Sequence, residues 1–139
     1  MELEPAEADR RLRRARVARL ATASVGGEPH LVPITYAFDG THLYFVIDHK
    51  PKSSMNLRRL RNIAENPQVS VLVDHYSDDW EALWWVRADG RARIWECGDA
   101  RNSAVELLAG CYPQYREHVP AGPVVAIAVG RISGWSYRG

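Results

Sequence analysis

The sequence predicts an α+β fold, a mainly antiparallel β-barrel with a few peripheral helices, and three observations predict it. Glycine-containing turns at Gly26-Gly27 and Asp39-Gly40 separate short apolar and β-branched runs, as tight hairpins require. The stretch from Ala82 to Trp95 alternates long enough to cross a whole sheet. A few segments with helical spacing fall between and beside these runs, which places helices outside the sheet.

The elements follow in order. Pro5 suits a first helical turn, and Ala8, Leu12 and Ala15 recur on one helical face. Arg10, Arg11, Arg13, Arg14 and Arg16 occupy the other faces; with Glu2, Glu4, Glu7 and Asp9 beside them and no interleaved aromatics, they read as a solvated face and not as a nucleic-acid arm. Val17–Ser24, Pro29–Phe38 and the run from Thr41 form a three-stranded antiparallel meander. A helix over Ser53–Glu65, capped by Ser53 or Ser54, interrupts it and stops at Asn66-Pro67. Its buried stripe is Leu57, Leu60 and Ala64, with Arg58 opposite and Arg59 on a flank shared with Asn56 and Lys52. Val69–Val73 resumes the sheet as a buried strand.

In the Ala82–Trp95 strand, Trp84, Val86, Ala88, Ala92 and Ile94 point to the core. Trp85, Arg87, Arg91 and Arg93 point outward, provided Asp89-Gly90 does not bulge the register. Asp99 caps a helix whose inner face is Ala100, Ala104, Leu107 and Leu108, and Gly110 closes it. A proline-containing loop leads to a last strand, Val124–Tyr137.

The totals bound the function. At 139 residues the chain is expected to be one domain, 1–139, and its formal net charge of +1 supplies no field for nucleic acid or an anionic membrane. No apolar run is long enough to span a bilayer and no signal-peptide pattern opens the chain, so the expected location is cytoplasmic. Cys97 and Cys111 are expected to be free thiols. The histidines and aspartates match no metal spacing, and no serine has a base at a readable distance, so neither a metal nor a protein nucleophile is expected.

The most informative stretch runs from His42 to Val73. A strand ends in His49-Lys50-Pro51-Lys52-Ser53-Ser54, where Pro51 breaks the ladder, and a helix N-terminus follows. Two lysines beside such a terminus favour a phosphate. With no glycine-rich loop, the pattern suggests a phosphorylated cofactor held outside the Rossmann and P-loop plans.

The chain resembles the split-barrel flavin and deazaflavin oxidoreductases, the superfamily named after pyridoxamine 5'-phosphate oxidase. The residues that carry the resemblance are Ala21-Thr22, His30-Leu31-Val32-Pro33-Ile34, Val46-Ile47-Asp48-His49-Lys50-Pro51-Lys52 and Asn66–Val73. Asp74-His75-Tyr76, Asp79-Trp80 and Leu83–Arg87 look like an actinobacterial branch assigned to coenzyme F-420, a deazaflavin. The resemblance implies an FMN-binding type of split β-barrel and a homodimer with cofactor sites shared between subunits. It sets the cofactor ring between Val32-Pro33-Ile34-Thr35 and Val46-Ile47-Asp48, and the phosphate over Lys50, Lys52 and Ser53.

Helix geometry adds Arg59 to the phosphate partners. Trp85 is expected outside the barrel, against the cofactor or a partner subunit; Trp135 is either a barrel cap or a pocket wall. His30 and His42 are expected to be ordinary strand residues. The implied function is a coenzyme F-420-dependent oxidoreductase that transfers hydride to or from a small conjugated substrate. No catalytic residue is assigned, and solvent or Tyr36 would supply a proton. FMN is the alternative cofactor, in an oxidoreductase like pyridoxamine 5'-phosphate oxidase; a non-catalytic holder of flavin, deazaflavin or haem is the alternative role. Pyridoxamine phosphate oxidation itself fits less well, because the chain lacks an arginine-rich C-terminal segment for the substrate phosphate.

Overall fold

A computed structural model describes residues 1–47 and 57–138. The elements are α1 (Pro5–Arg14), β1 (Ala18–Ala23), β2 (Pro29–Ile34), β3 (Ala37–Phe38), β4 (His42–Val46), α2 (Arg58–Glu65), β5 (Gln68–His75), β6 (Trp84–Trp95), α3 (Asp99–Cys111), α4 (Pro113–Glu117) and β7 (Val124–Ser136), with a short 3-10 turn at Trp80–Ala82. One seven-stranded antiparallel sheet runs in the order β2-β1-β5-β6-β7-β4-β3, which is the mainly antiparallel split β-barrel that the sequence predicts.

The expected meander does not form. The segment read as one strand, Pro29–Phe38, is two: β2 pairs with β1, while β3 pairs with β4 at the other end of the sheet. Thr35 and Tyr36 alone join these opposite ends, so the sheet must curl for the chain to make the step. Local sequence favours extension throughout this segment, and only the packing of Tyr36 breaks it. The Tyr36 hydroxyl donates to the Leu12 carbonyl in α1, and its backbone N–H donates to the Tyr112 hydroxyl. Thr35 and Tyr115 share a hydrogen bond of 3.0 Å between their hydroxyls. Helices α1 and α4 thus pin the crossover from two sides. β2, which carries Pro29 and Pro33, is left as a terminal strand.

The main core lies inside the curl, where Leu20, Leu43, Phe45, Ile47, Val71, Val86, Val125 and Ile127 are sealed from solvent, and Leu12 closes it from α1. A second cluster lies on the outer face, where Ala104, Val105 and Leu108 of α3 cover Val46, Val124 and Ala37. The β6–β7 register shifts by one residue, with Gly130 of β7 as the extra residue. β6 therefore keeps its alternation: Val86, Ala88 and Ala92 are buried, and Trp84 packs partly buried against the core.

Several helix details differ from expectation. Helix α2 begins at Arg58 behind an extended Leu57, so Ser53 and Ser54 are not its N-cap, and its buried side is Leu60, Asn62 and Ile63, with Ala64 exposed. Gly98, at φ 104°, is the N-cap of α3, and Asp99 is its first residue. Arg101 replaces Ala100 and Leu107 on the buried face of α3, because its guanidinium donates to the carbonyls of Pro120 and Gly122. Gly110 lies within α3, whose C-cap is Tyr112.

Arginines of α1 are engaged with the helix's own carboxylates: Arg10 and Arg11 pair with Glu7, and Arg13 with Asp9. Arg11 also lies over the Trp84 ring, 4.9 Å from its centroid. Both cysteines are free. Among the described residues no helix is long and apolar enough to cross a membrane.

Candidate cofactor site

Helix α2 lies over the tip end of the β1–β2 hairpin and is tied there at three points. Arg58 pairs with Glu28 at 3.3 Å, the Asn62 amide donates to the Thr22 hydroxyl at 3.0 Å, and the Asn66 amide donates to the Ser24 carbonyl at 3.5 Å. The middle contact is dry, since Thr22 is 4% exposed and Asn62 is 2% exposed. His30 stands opposite Thr22 in the ladder and faces the same way, toward the interior.

Two polar atoms in this region are buried without a hydrogen-bond partner among the described residues: Nε of Arg59 and Nδ1 of His30. Burial also lowers the Arg59 pKa from the ordinary arginine value. A buried donor without an acceptor costs about 1–3 kcal/mol, and more when charged, so native proteins seldom keep one without a use. Arg59 stands in the first turn of α2, where backbone N–H groups also lack intrahelical acceptors. An anion satisfies both deficits together. The residues present therefore fit a phosphate group, with Arg59 as its fork and α2 as its dipole.

The other expected site residues are distributed as follows. Val32 and Ile34 of β2 and Ile47 beyond β4 pack in the main core, whereas Pro33 is exposed on the outer side. Val46 faces α3 in the outer cluster. Thr35 is held by Tyr115 at the crossover. Asp48, Lys50, Lys52 and Ser53 lie outside the described residues. Trp85 and Trp135 are cross-strand neighbours on β6 and β7, half-buried on the outer face, with Arg87 over Trp85 at 5.8 Å.

The tryptophan pair stands far from Val46 within one chain. β4 meets β7 at Val46–Val124, and Trp135 lies eleven residues further along β7. At ~3.3 Å per residue that is a contour of roughly 35 Å.

Tyr36 is not placed to deliver a proton. Its hydroxyl is buried and donates to Leu12, and burial, with Tyr112 and Cys111 nearby, pushes its pKa above the ordinary tyrosine range. His30 lies in β2, as expected of a strand residue, and Asn62 is the buried polar residue here that the sequence does not single out. An asparagine between Arg61 and Ile63 gives no periodic signal, because its burial depends on Thr22, forty residues away.

The comparisons agree with this architecture. A family model described as pyridoxamine 5'-phosphate oxidase matches residues 5–136. No curated protein matches the sequence. Among solved structures, a conserved hypothetical protein of Mycobacterium tuberculosis aligns with a TM-score of 0.77 and 23% identity, over 98% of this chain and 86% of that one. An FAD-binding protein of Mesorhizobium loti aligns with a TM-score of 0.72 and 26% identity, over 96% of this chain and 95% of that one. The haem storage protein of Vibrio cholerae shares the fold at 17% identity, with a TM-score of 0.72 over 98% and 95% of the two chains. With the curled sheet and nearly its whole length matched by one model, the chain belongs to the pyridoxamine 5'-phosphate oxidase family.

Proposed function

We propose that this chain is a cytoplasmic, homodimeric oxidoreductase of one split-barrel domain that binds coenzyme F-420, or FMN as the alternative, and works on a small conjugated substrate. The observation that carries the reading is the partly buried Arg59 guanidinium with an unpaired Nε, on the first turn of a helix, in a member of this family. A similar protein at 26% identity is named as FAD-binding, which supports the flavin class.

In this reading Arg59 and the N–H groups of α2 hold the cofactor phosphate, assisted by Lys50, Lys52 and Ser53. Val32, Pro33, Ile34 and Thr35 form one wall for the ring, and Val46, Ile47 and Asp48 the other. When bound, the deazaflavin or flavin supplies the hydride chemistry, and the protein supplies orientation and a dry face. The roughly 35 Å contour between Val46 and Trp135 supports a shared site, with Trp85 and Trp135 contributed by a partner. Coenzyme F-420 is preferred because its glutamate tail rewards cations beyond the phosphate, and Arg61 is exposed on the same helix, two residues after Arg59.

One observation favours a non-catalytic holder instead: Tyr36, the side chain considered as a proton donor, is committed to Leu12. Two measurements separate these readings. Titration of the purified protein with FMN and coenzyme F-420 is expected to show tighter deazaflavin binding, with the preference shrinking as salt rises. Arg59→Ala is expected to weaken it roughly tenfold or more, while Arg58→Ala does little. Tight FMN retained through purification with no deazaflavin binding would overturn the F-420 assignment. Reduced cofactor that stays reduced with every conjugated enone and quinone offered would favour the holder.

A further inference from the structure

The outer face of β4, β7 and β6 carries a feature that the cofactor reading does not use. Along β7, Ala126 and Ala128 stand between taller neighbours on both sides. The ladder sets His42 beside Ala128 and Arg91 beyond it, then Tyr44 beside Ala126 and Arg93 beyond that. Side chains two apart on a strand share a face, so these rows build a trough with an alanine floor. His42 forms one wall, and Tyr44 stacks behind it at 6.0 Å with planes 10° apart. Arg91 and Arg93 form the other. Tyr44 leans over to Trp95, with ring centroids 6.0 Å apart, and this contact closes one end. The partly open hollow, which Pro67 also lines, measures about 430 Å³, a volume suited to a small organic molecule.

The electrostatics are one-sided. Among the described residues neither Arg91 nor Arg93 has a carboxylate partner, whereas Arg19 pairs with Asp74 and Arg87 with Asp89; Arg131, further along β7, also lacks one. Asp39, the carboxylate bonded to Tyr44, is occupied. It accepts from the Tyr44 hydroxyl and the backbone N–H groups of Thr41 and His42. It lines a separate hollow toward α3 and is absent from the residues around this trough.

We infer that this trough is a second binding site, for a small planar aromatic anion such as an aromatic carboxylate. The ring would lie on Ala126 and Ala128 against His42, with its edge toward Trp95. The anionic group would take the forks of Arg91 and Arg93. The size of the floor selects for flatness, and the two guanidiniums select for negative charge. The inference does not depend on the cofactor reading, because α2, Arg59 and His30 contribute nothing to the trough.

Isothermal titration of the full chain with 2-naphthoate tests it, with neutral 2-naphthalenemethanol as the comparison. Naphthoate is expected to bind, and the neutral analogue about tenfold or more weaker, since a charge-assisted pair is lost. Arg93→Ala is expected to weaken naphthoate by a similar factor. Ala128→Leu, at an exposed position that tolerates added volume, is expected to abolish binding while leaving the melting temperature unchanged. Arg59→Ala is expected to leave naphthoate binding intact whatever it does to cofactor. Equal affinity for the neutral analogue, insensitivity to Arg93→Ala or Ala128→Leu, or no naphthoate binding at millimolar concentration would each overturn the site.

Discussion

At Arg59 function and stability oppose each other. Its Nε is buried without an acceptor, so the apo protein bears a desolvation cost that an apolar side chain of similar length removes. Arg59→Met is expected to stabilise the apo protein by roughly 1 kcal/mol, seen as a higher urea midpoint, while weakening cofactor. A variant less stable than wild type would show that Arg59 has a structural partner. Asp39 behaves in the opposite sense. Burial acts to raise its pKa, but donors from His42, Thr41 and Tyr44 outweigh it and hold the carboxyl at about 2, below its ordinary 3.8. A depressed folded-state pKa gives stability that is present above the unfolded value and lost as the acid titrates. The melting-temperature gap between wild type and Asp39→Asn should therefore be full at pH 7 and close as pH falls from about 4 toward 2. A gap independent of pH over that window would remove the charge from the explanation. Single residues were the least legible level: Arg59 could be placed on a helix flank, but that its Nε would be left unpaired depends on contacts that no local pattern encodes.

Among the elements, β6 and β7 were read almost to the residue, because long alternation and a buried-exposed rhythm leave few registers open. The register does shift at Asp89-Gly90, but the extra residue is Gly130 on the facing strand. Gly90 matters for space: a Cβ there would stand 2.3 Å from the Ala128 carbonyl oxygen and 2.9 Å from the Ile127 side chain. Backbone cannot yield as a side chain does, so Gly90→Ala is expected to cost about 2 kcal/mol or more in urea unfolding. Gly130→Ala, whose new Cβ would meet nothing closer than 3.9 Å, should cost well under half as much. The split of Pro29–Phe38 was not legible for a different reason. Both halves are good strand sequence, and the break is decided by Tyr36 reaching α1 and α4, which are remote in sequence.

For the whole molecule, the curled sheet followed from turn chemistry and strand count, while the order of strands around it did not. The curl leaves an outer surface on β2, β1, β5 and β6 that no helix among the described residues covers. On it Leu31 is 66% exposed, and Leu72 and Trp85 are half-buried. Such a face in a small domain favours association. Light scattering at micromolar concentration is expected to report a dimer, and Leu31→Arg is expected to shift it toward monomer and weaken cofactor together. A stable monomer that still binds cofactor at full affinity would separate the site from the interface.

The prolines of β2 bear on how the barrel behaves among many copies of itself. Pro29 and Pro33 sit four pairs apart in the ladder, with Leu31 midway between them, so all three direct their backbone groups the same way. A proline cannot donate to a ladder, so that direction is away from β1, toward the open side of the terminal strand. The open side then offers the N–H of Leu31 where an unprotected strand would offer three, too sparse a template for another chain to extend. Replacing both prolines with valine would leave the fold's own pairing intact and create a continuous seam for strand addition, the first step toward fibrils.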